Sequence, residues 1–224
     1  FLSPIAYIFM AVFMLVTGLF FVLTNVLGQS AEFNNTLSNI AFMFILVVPV
    51  LTMRLLSEER RTKTDQLLLT SPISLTSVVV GKYLAALTVF AATLVLSLVY
   101  PLVLAIFGNP AFGEIFSGYI GFALLGCTLI ALGLFMSALC ENQVTAAVST
   151  FGVILLLWMG SSIINSISVT WLADILSWLS IYDRFYGFVQ GIIGLAPTFY
   201  YISASALFVF LTIRTVEKRR RSEG

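Results

Sequence analysis

The sequence predicts an all-α polytopic membrane protein, and three observations carry that prediction. Of its 224 residues, 60% are hydrophobic and only 9% are charged, against about 25% charged in a soluble globular domain. The mean hydropathy is +1.07. The few charges are gathered at a handful of places and leave long charge-free intervals, and a membrane span needs roughly 20 mostly apolar residues.

Those intervals define six expected spans. Residues 1–31 carry no charge and hold the first, about 4–26. The second runs about 37–53 and the third about 78–107, with Lys82 near its mouth. The fourth is about 115–139, the fifth about 144–164 and the sixth about 195–213. The chain reads as one membrane domain over residues 1–224, without internal repeats or low-complexity segments. It begins at Phe1 rather than methionine, so the natural start is expected upstream. Its first apolar run lacks both a basic n-region and a small-residue cleavage site, so it reads as a span and not as a removable signal.

Charge placement sets the orientation. Arg54, Arg60, Arg61, Lys63, Lys82, Arg214, Lys218, Arg219, Arg220 and Arg221 fall on one side, leaving only Arg184 of the eleven basic residues on the other. The positive-inside rule places the crowded side, and with it both termini, in the cytoplasm. Between the fifth and sixth spans, Trp171, Leu172, Ile175, Leu176, Trp178 and Leu179 recur at helical spacing with Asp174, Ser177 and Ser180 between them. A short apolar stretch, Phe185 to Ile193, follows the polar "YDR". Two short helices are expected at about 170–193, lying on or re-entering the outer leaflet, with Trp171, Trp178, Phe185 and Phe188 as interfacial residues. A seventh span instead would carry the basic tail outside, against the charge rule.

The residue inventory excludes several kinds of chemistry. There is no histidine, the commonest general base and metal ligand. Cys127 and Cys140 lie about 20 Å apart on one expected helix, too far to pair. Midspan polar residues such as Asn25, Asn39, Thr88, Thr93, Ser97, Ser161 and Ser162 suit bonds between helices. Charges near the midplane, which ion-coupled transporters and intramembrane enzymes use, are not found. No Gly-rich phosphate-binding loop occurs, and nothing suggests a metal or a nucleic-acid partner.

One stretch stands apart. Ser57 to Gln66, "SEERRTKTDQ", is continuously polar between two apolar runs. Thr64 can cap a short helix starting at Asp65, with Leu67, Leu68 and Leu69 on its apolar face and Ser71-Pro72 ending it. Glu58, Glu59, Arg60, Arg61 and Lys63 mix both signs, whereas a lipid-binding patch is basic alone. From these residues a docking surface and a solvated loop are equally good readings.

"EERRTKTDQLLLTSPIS" followed by "GKYLA" resembles the first cytoplasmic connection of ABC-2 type permeases, the gliding-motility-type branch in particular. The pattern falls on Glu59, Arg60, Thr64, Leu67, Leu68, Ser71, Pro72, Gly81 and Lys82. "FLSPIAYIF" is similar to that family's start of the first span, "CENQVTAAV" to its second cytoplasmic turn, and "FYGFVQGIIG" with "FYYISASALFVFLTIRTVEKRR" to its outer re-entrant segment and last span. Lys63 departs from the glycine often found before the threonine, which bears on partner fit. "GLAPTFY" lacks the acidic residues often found there, which bears on the outer face. The amphipathic helix that precedes the first span in the family is missing, as a truncated start would explain.

The resemblance implies a non-catalytic permease subunit of an ATP-binding-cassette exporter in a bacterial-type cytoplasmic membrane. It implies no cofactor in this chain, with ATP and Mg held by a separate ABC ATPase, two copies per complex. A second permease chain, identical or paralogous, is implied, and an extracytoplasmic auxiliary subunit often accompanies this branch; membrane lipid surrounds the whole. The coupling helix would span about 58–70 and include Glu58, Glu59, Arg60, Thr64, Asp65, Leu67 and Leu68. Glu59 and Arg60 would make polar contacts to the ATPase while Leu67 and Leu68 seat the helix. Glu141, Asn142 and Gln143 would form a second contact. Closure of the ATPase would drive a rigid-body switch of the permease halves. Two alternatives stay open: a membrane anchor or mechanical transmitter acting on an extracytoplasmic partner, and a secondary transporter or channel that works without an ATPase. No residue identifies the substrate.

Overall fold

The computed structural model describes residues 4–62, 74–164 and 180–223, and among them the chain is helical with short connections and no strand. Helix α1, Pro4–Phe21, runs on through a π turn, Val22–Val26. Then come α2 (Phe33–Thr52), α3 (Ser57–Arg61), α4 (Leu75–Ser97), α5 (Val99–Phe107) and α6 (Phe112–Leu139). The chain continues with α7 (Gln143–Ile164), α8 (Ile181–Val189) and α9 (Leu195–Glu223). Among the described residues five helical stretches are long and apolar enough to cross a membrane: Ile5–Val26, Phe33–Arg61, Leu75–Phe107, Phe112–Leu139 and Leu195–Arg220. In α7 the shorter stretch Gln143–Met159 is apolar.

Several boundaries have local causes that hydropathy does not show. Helix α2 starts at Phe33, one turn before its apolar run, because the extended backbone of Glu32 (φ −82°, ψ 94°) ends the preceding loop there. Helix α9 continues past the apolar run to Glu223. Its tail is rich in Lys, Arg and Glu, good helix formers in water, and Arg214 pairs with Glu217 at 3.2 Å. The break at Leu98 between α4 and α5 follows from Pro101, which has no N–H for the Ser97 carbonyl one turn earlier. The Tyr119 hydroxyl on α6 donates to that carbonyl instead, at 3.1 Å.

The core lies on α2 and α6. The most apolar windows of these two helices are 61% and 67% buried, against 11% for α9, whose exposed face is left for lipid or another chain. Phe44 of α2 and Phe122 of α6 sit at the centre with ring centroids 5.2 Å apart. Phe13, Phe90 and Phe185 join them from α1, α4 and α8. Within a membrane such packing, rather than water exclusion, holds helices together, and each aromatic pair adds ~0.5–1.5 kcal/mol.

Helix α6 can be central because its glycines let neighbours in. A β-carbon at Gly126 would lie 2.2 Å from the ring of Phe90, and one at Gly133 would lie 2.3 Å from the Thr52 hydroxyl. Gly126→Val is therefore expected to displace Phe90 and cost about 1–3 kcal/mol or more by overpacking. A lowered melting temperature in detergent would register this, while the same change at Gly152, where a β-carbon meets nothing within 4 Å, should be tolerated.

Candidate functional site: the basic end of the bundle

The end of the bundle that carries most of the Lys and Arg is built around the elbow between α2 and α4. After Thr52 the chain turns sharply, and α3 begins with N–H groups that have no partner in their own helix. Ser137 of α6 supplies one. Its hydroxyl oxygen accepts from the N–H groups of Leu56 and Ser57, each at 3.1 Å, and its proton goes to the Met53 carbonyl at 3.3 Å. Ser57 is fully buried, and its own hydroxyl donates to the same carbonyl. Below this turn, Leu56 seats in an apolar cluster with Val79, Leu134 and Ala138. The elbow is thus fixed by main-chain bonds and packing before any charge is considered.

The charges then join four elements. The Lys82 ammonium of α4 donates to the Leu55 carbonyl and, at 2.6 Å, to the Glu59 carboxylate of α3. Arg60 of α3 reaches the α6–α7 turn, pairing with Glu141 at 2.8 Å and donating to the Leu139 carbonyl at 3.2 Å. Arg219 of α9 donates to that same carbonyl at 3.4 Å. Leu139 closes α6, so its carbonyl lies at the negative end of the helix dipole, where cations are favoured. Arg54 donates to the Gln143 side chain at 3.0 Å.

The two ion pairs differ in weight. Glu141 is 78% exposed, so its bond to Arg60 is worth at most ~1 kcal/mol. Lys82 and Glu59 are only 22% and 29% exposed, and hydrogen bonds to charged groups in such settings contribute ~1.5–3 kcal/mol. Lys82 is therefore the stronger fastening.

The two stretches singled out in the sequence thus meet here, Glu59 and Arg60 against Glu141 and Gln143. The side chains of Glu59 and Arg60 bond within the chain. Glu58 is half-buried and Arg61 exposed. Asn142 uses its carbonyl to accept the Ala146 N–H at the start of α7. Thr64, Asp65, Leu67 and Leu68 lie outside the described residues, as do Trp171 and Trp178. The sequence reading left out Ser137 and counted Arg54 and Arg219 only toward orientation; no local pattern marks their bonds, because each serves an element distant in sequence. Among the described residues no group of three or more His, Cys, Asp or Glu could hold a metal ion.

At the far end, α8 is docked into the bundle rather than laid on its surface. Phe185 and Phe188, expected at the membrane interface, are both fully buried. Ser180 caps α8 by accepting the Asp183 N–H at 3.4 Å. Its last carbonyls, which lack intrahelical donors, are bonded from other helices, although Phe188 also accepts the Gly191 N–H at 3.1 Å. Ser117 of α6 donates to Phe188 at 2.9 Å and the Asn34 amide of α2 to Val189 at 2.5 Å. The second Asn34 proton goes to the Glu114 carbonyl at 3.0 Å. The Tyr201 hydroxyl of α9 donates to the Ile181 carbonyl at 2.6 Å.

A helical membrane bundle with a braced basic elbow is what a transporter subunit driven from one side would need. The chain belongs to the ABC-2 family of transporter proteins, whose model matches residues 21–215. It is an integral membrane protein and a permease of an ABC transporter. Permeases of this family are generally non-catalytic, normally work with an ABC ATPase and often dimerise. A comparison with curated proteins finds no match.

Proposed function

We propose that this chain is the six-span permease subunit of an ABC exporter of the gliding-motility-type branch, with α7 as its fifth span. Its basic end faces the cytoplasm, as the positive-inside rule requires. A separate ATPase, which alone binds ATP and Mg, docks on the elbow at about 58–70 and on the turn Glu141 to Gln143. Two permease chains and two ATPase subunits make up the complex, and the cargo is unidentified.

The observation that carries this reading is the joining of the elbow to the α6–α7 turn through Arg60 and Glu141. With the elbow also tied to α6 through Ser137, a partner pressing on either stretch bears on both. Within this reading Glu59 and Arg60 brace the surface from behind. Glu58, Arg61 and the stretch Thr64 to Leu68 are the contact itself.

The test is co-purification of the ATPase in mild detergent with charge swaps at the brace. Arg60→Glu and Glu141→Arg should each reduce the ATPase retained, and the double swap should restore most of it. The coupling between the two changes is expected at about 0.5–1 kcal/mol, as for an exposed pair. A chain that retains no ATPase under any of these conditions would remove the docking reading. The transmitter alternative would then lead, supported by the rigid attachment of α8 to α2 and α6.

A further inference from the structure

The first span ends in an unusual way. Over Val22–Val26 the helix widens to a π turn, with the Leu27 N–H donating to the Val22 carbonyl at 2.8 Å. Gln29 then adopts φ 50°, a left-handed conformation uncommon outside glycine. Both features cost free energy, and both gather at functional sites. Asn25 stabilises the turn. Its amide donates to the carbonyls of Ser30 (2.9 Å) and Glu32 (3.3 Å), and its oxygen accepts from Thr36 at 2.6 Å.

This turn forms one side of a cleft of about 460 Å³ whose opposite side is α5. Its walls are Phe21 and Val26 on one helix and Val103, Leu104 and Phe107 on the other. Its rim is polar, with Gln29 and Ser30 beside Gly108. The Gln29 amide is exposed and makes no hydrogen bond among the described residues. The volume lies within the roughly 300–1,000 Å³ of ligand pockets, and a largely apolar lining with a few polar groups is their usual character.

The occupant follows from where the cleft lies. Both walls belong to stretches apolar enough to cross a membrane, and Val26 and Phe107 are 55% and 84% exposed. An empty cleft would forfeit dispersion contacts along its whole lining. The surrounding medium supplies acyl chains, and the change from apolar wall to polar rim matches a chain joined to a head group.

We propose that this cleft is a binding site for one acyl chain of a membrane lipid, with Gln29 and Ser30 placed to hydrogen-bond its head group. The proposal needs the chain to sit in a membrane and is independent of ATPase docking.

The test uses the full chain in vesicles of phosphatidylethanolamine and phosphatidylglycerol. The probe is a phosphatidylethanolamine with a photoreactive diazirine on one acyl chain close to the head group, and labelled peptides are read by mass spectrometry. Labelling at Phe21–Val26 and Val103–Phe107 is expected to exceed that on the exposed face of α9 about tenfold, the excess that ~1.4 kcal/mol of preference gives. Val103→Trp, which fills the cleft, should abolish the excess and leave α9 labelling unchanged. Ala31→Trp closes the rim from an exposed position, so it decides the matter if the first variant fails to insert. Equal labelling of cleft and α9, or an excess that survives Ala31→Trp, would overturn the proposal. Crosslinks from the cleft to a second copy in place of lipid would do so too.

Discussion

Lys82→Met is expected to loosen the elbow and reduce the ATPase retained by the purified permease about tenfold, with membrane insertion unchanged. The Lys82 ammonium holds both the Leu55 carbonyl and the Glu59 carboxylate. Removing it takes the Lys82 ammonium from a half-buried carboxylate and one donor from a carbonyl, a loss of ~1.5–3 kcal/mol. That corresponds to roughly a tenfold to hundredfold change in an elbow equilibrium. Because part of the loss comes from the Glu59 charge being deprived of Lys82, the double variant Lys82→Met with Glu59→Leu should recover part of it. Lys82→Arg keeps the charge but not the compact ammonium and should fall between. Hydrogen exchange at residues 55–61 reads the elbow directly and separates a local change from general misfolding. Unchanged exchange and unchanged ATPase retention in Lys82→Met would show that Ser137 and the apolar seat of Leu56 hold the elbow alone.

What the sequence made legible was the medium. Charge-free intervals and hydropathy are sums over neighbouring residues, and they suffice for an all-helical membrane class. The mixed charges of Glu58 to Arg61 set the elbow apart but left a docking surface and a solvated loop equally good readings. Which of those charges turn inward could not be read, since Glu59 and Arg60 are directed by Lys82, 23 residues on, and Glu141, 81 residues on. The same limit applies at Leu98, where Pro101 is visible but the Tyr119 hydroxyl that makes the break tolerable comes from another helix. It applies most at α8. A short apolar stretch that follows an amphipathic run with tryptophans reads as interfacial, yet the donors that pull α8 into the bundle, Asn34 and Ser117, are 155 and 71 residues from their acceptors.

Those two donors carry the other large expected effect. Asn34→Leu should free α8 from α2 while keeping the volume of the site nearly filled. The Glu114 and Val189 carbonyls each lose a donor, at about 1–3 kcal/mol apiece for a buried group. Part of that returns, because the Asn34 side-chain oxygen is buried without a hydrogen-bond partner among the described residues and leucine removes it. A net of ~2–3 kcal/mol predicts amide exchange over residues 181–190 roughly 30- to 150-fold faster. Gly118→Ala should act in the same direction, since a β-carbon there would lie 2.7 Å from that oxygen. Unchanged exchange in both variants would mean that the aromatic contacts of Phe185 and Phe188 hold α8 unaided. The consequence reaches beyond stability, because Asn34 and the elbow lie at opposite ends of one helix. Helix α2 spans 20 residues, about 30 Å, with α8 fastened at its start and α3 at its end. Under the proposed function, a tilt imposed at the elbow would reach α8 through this helix, with Pro49, one turn before the elbow, as the point where it can bend. Asn34→Leu should preserve ATPase binding at the basic end while uncoupling α8 from it, an outcome that spin labels on α8 would register as mobility no longer responsive to the ATPase.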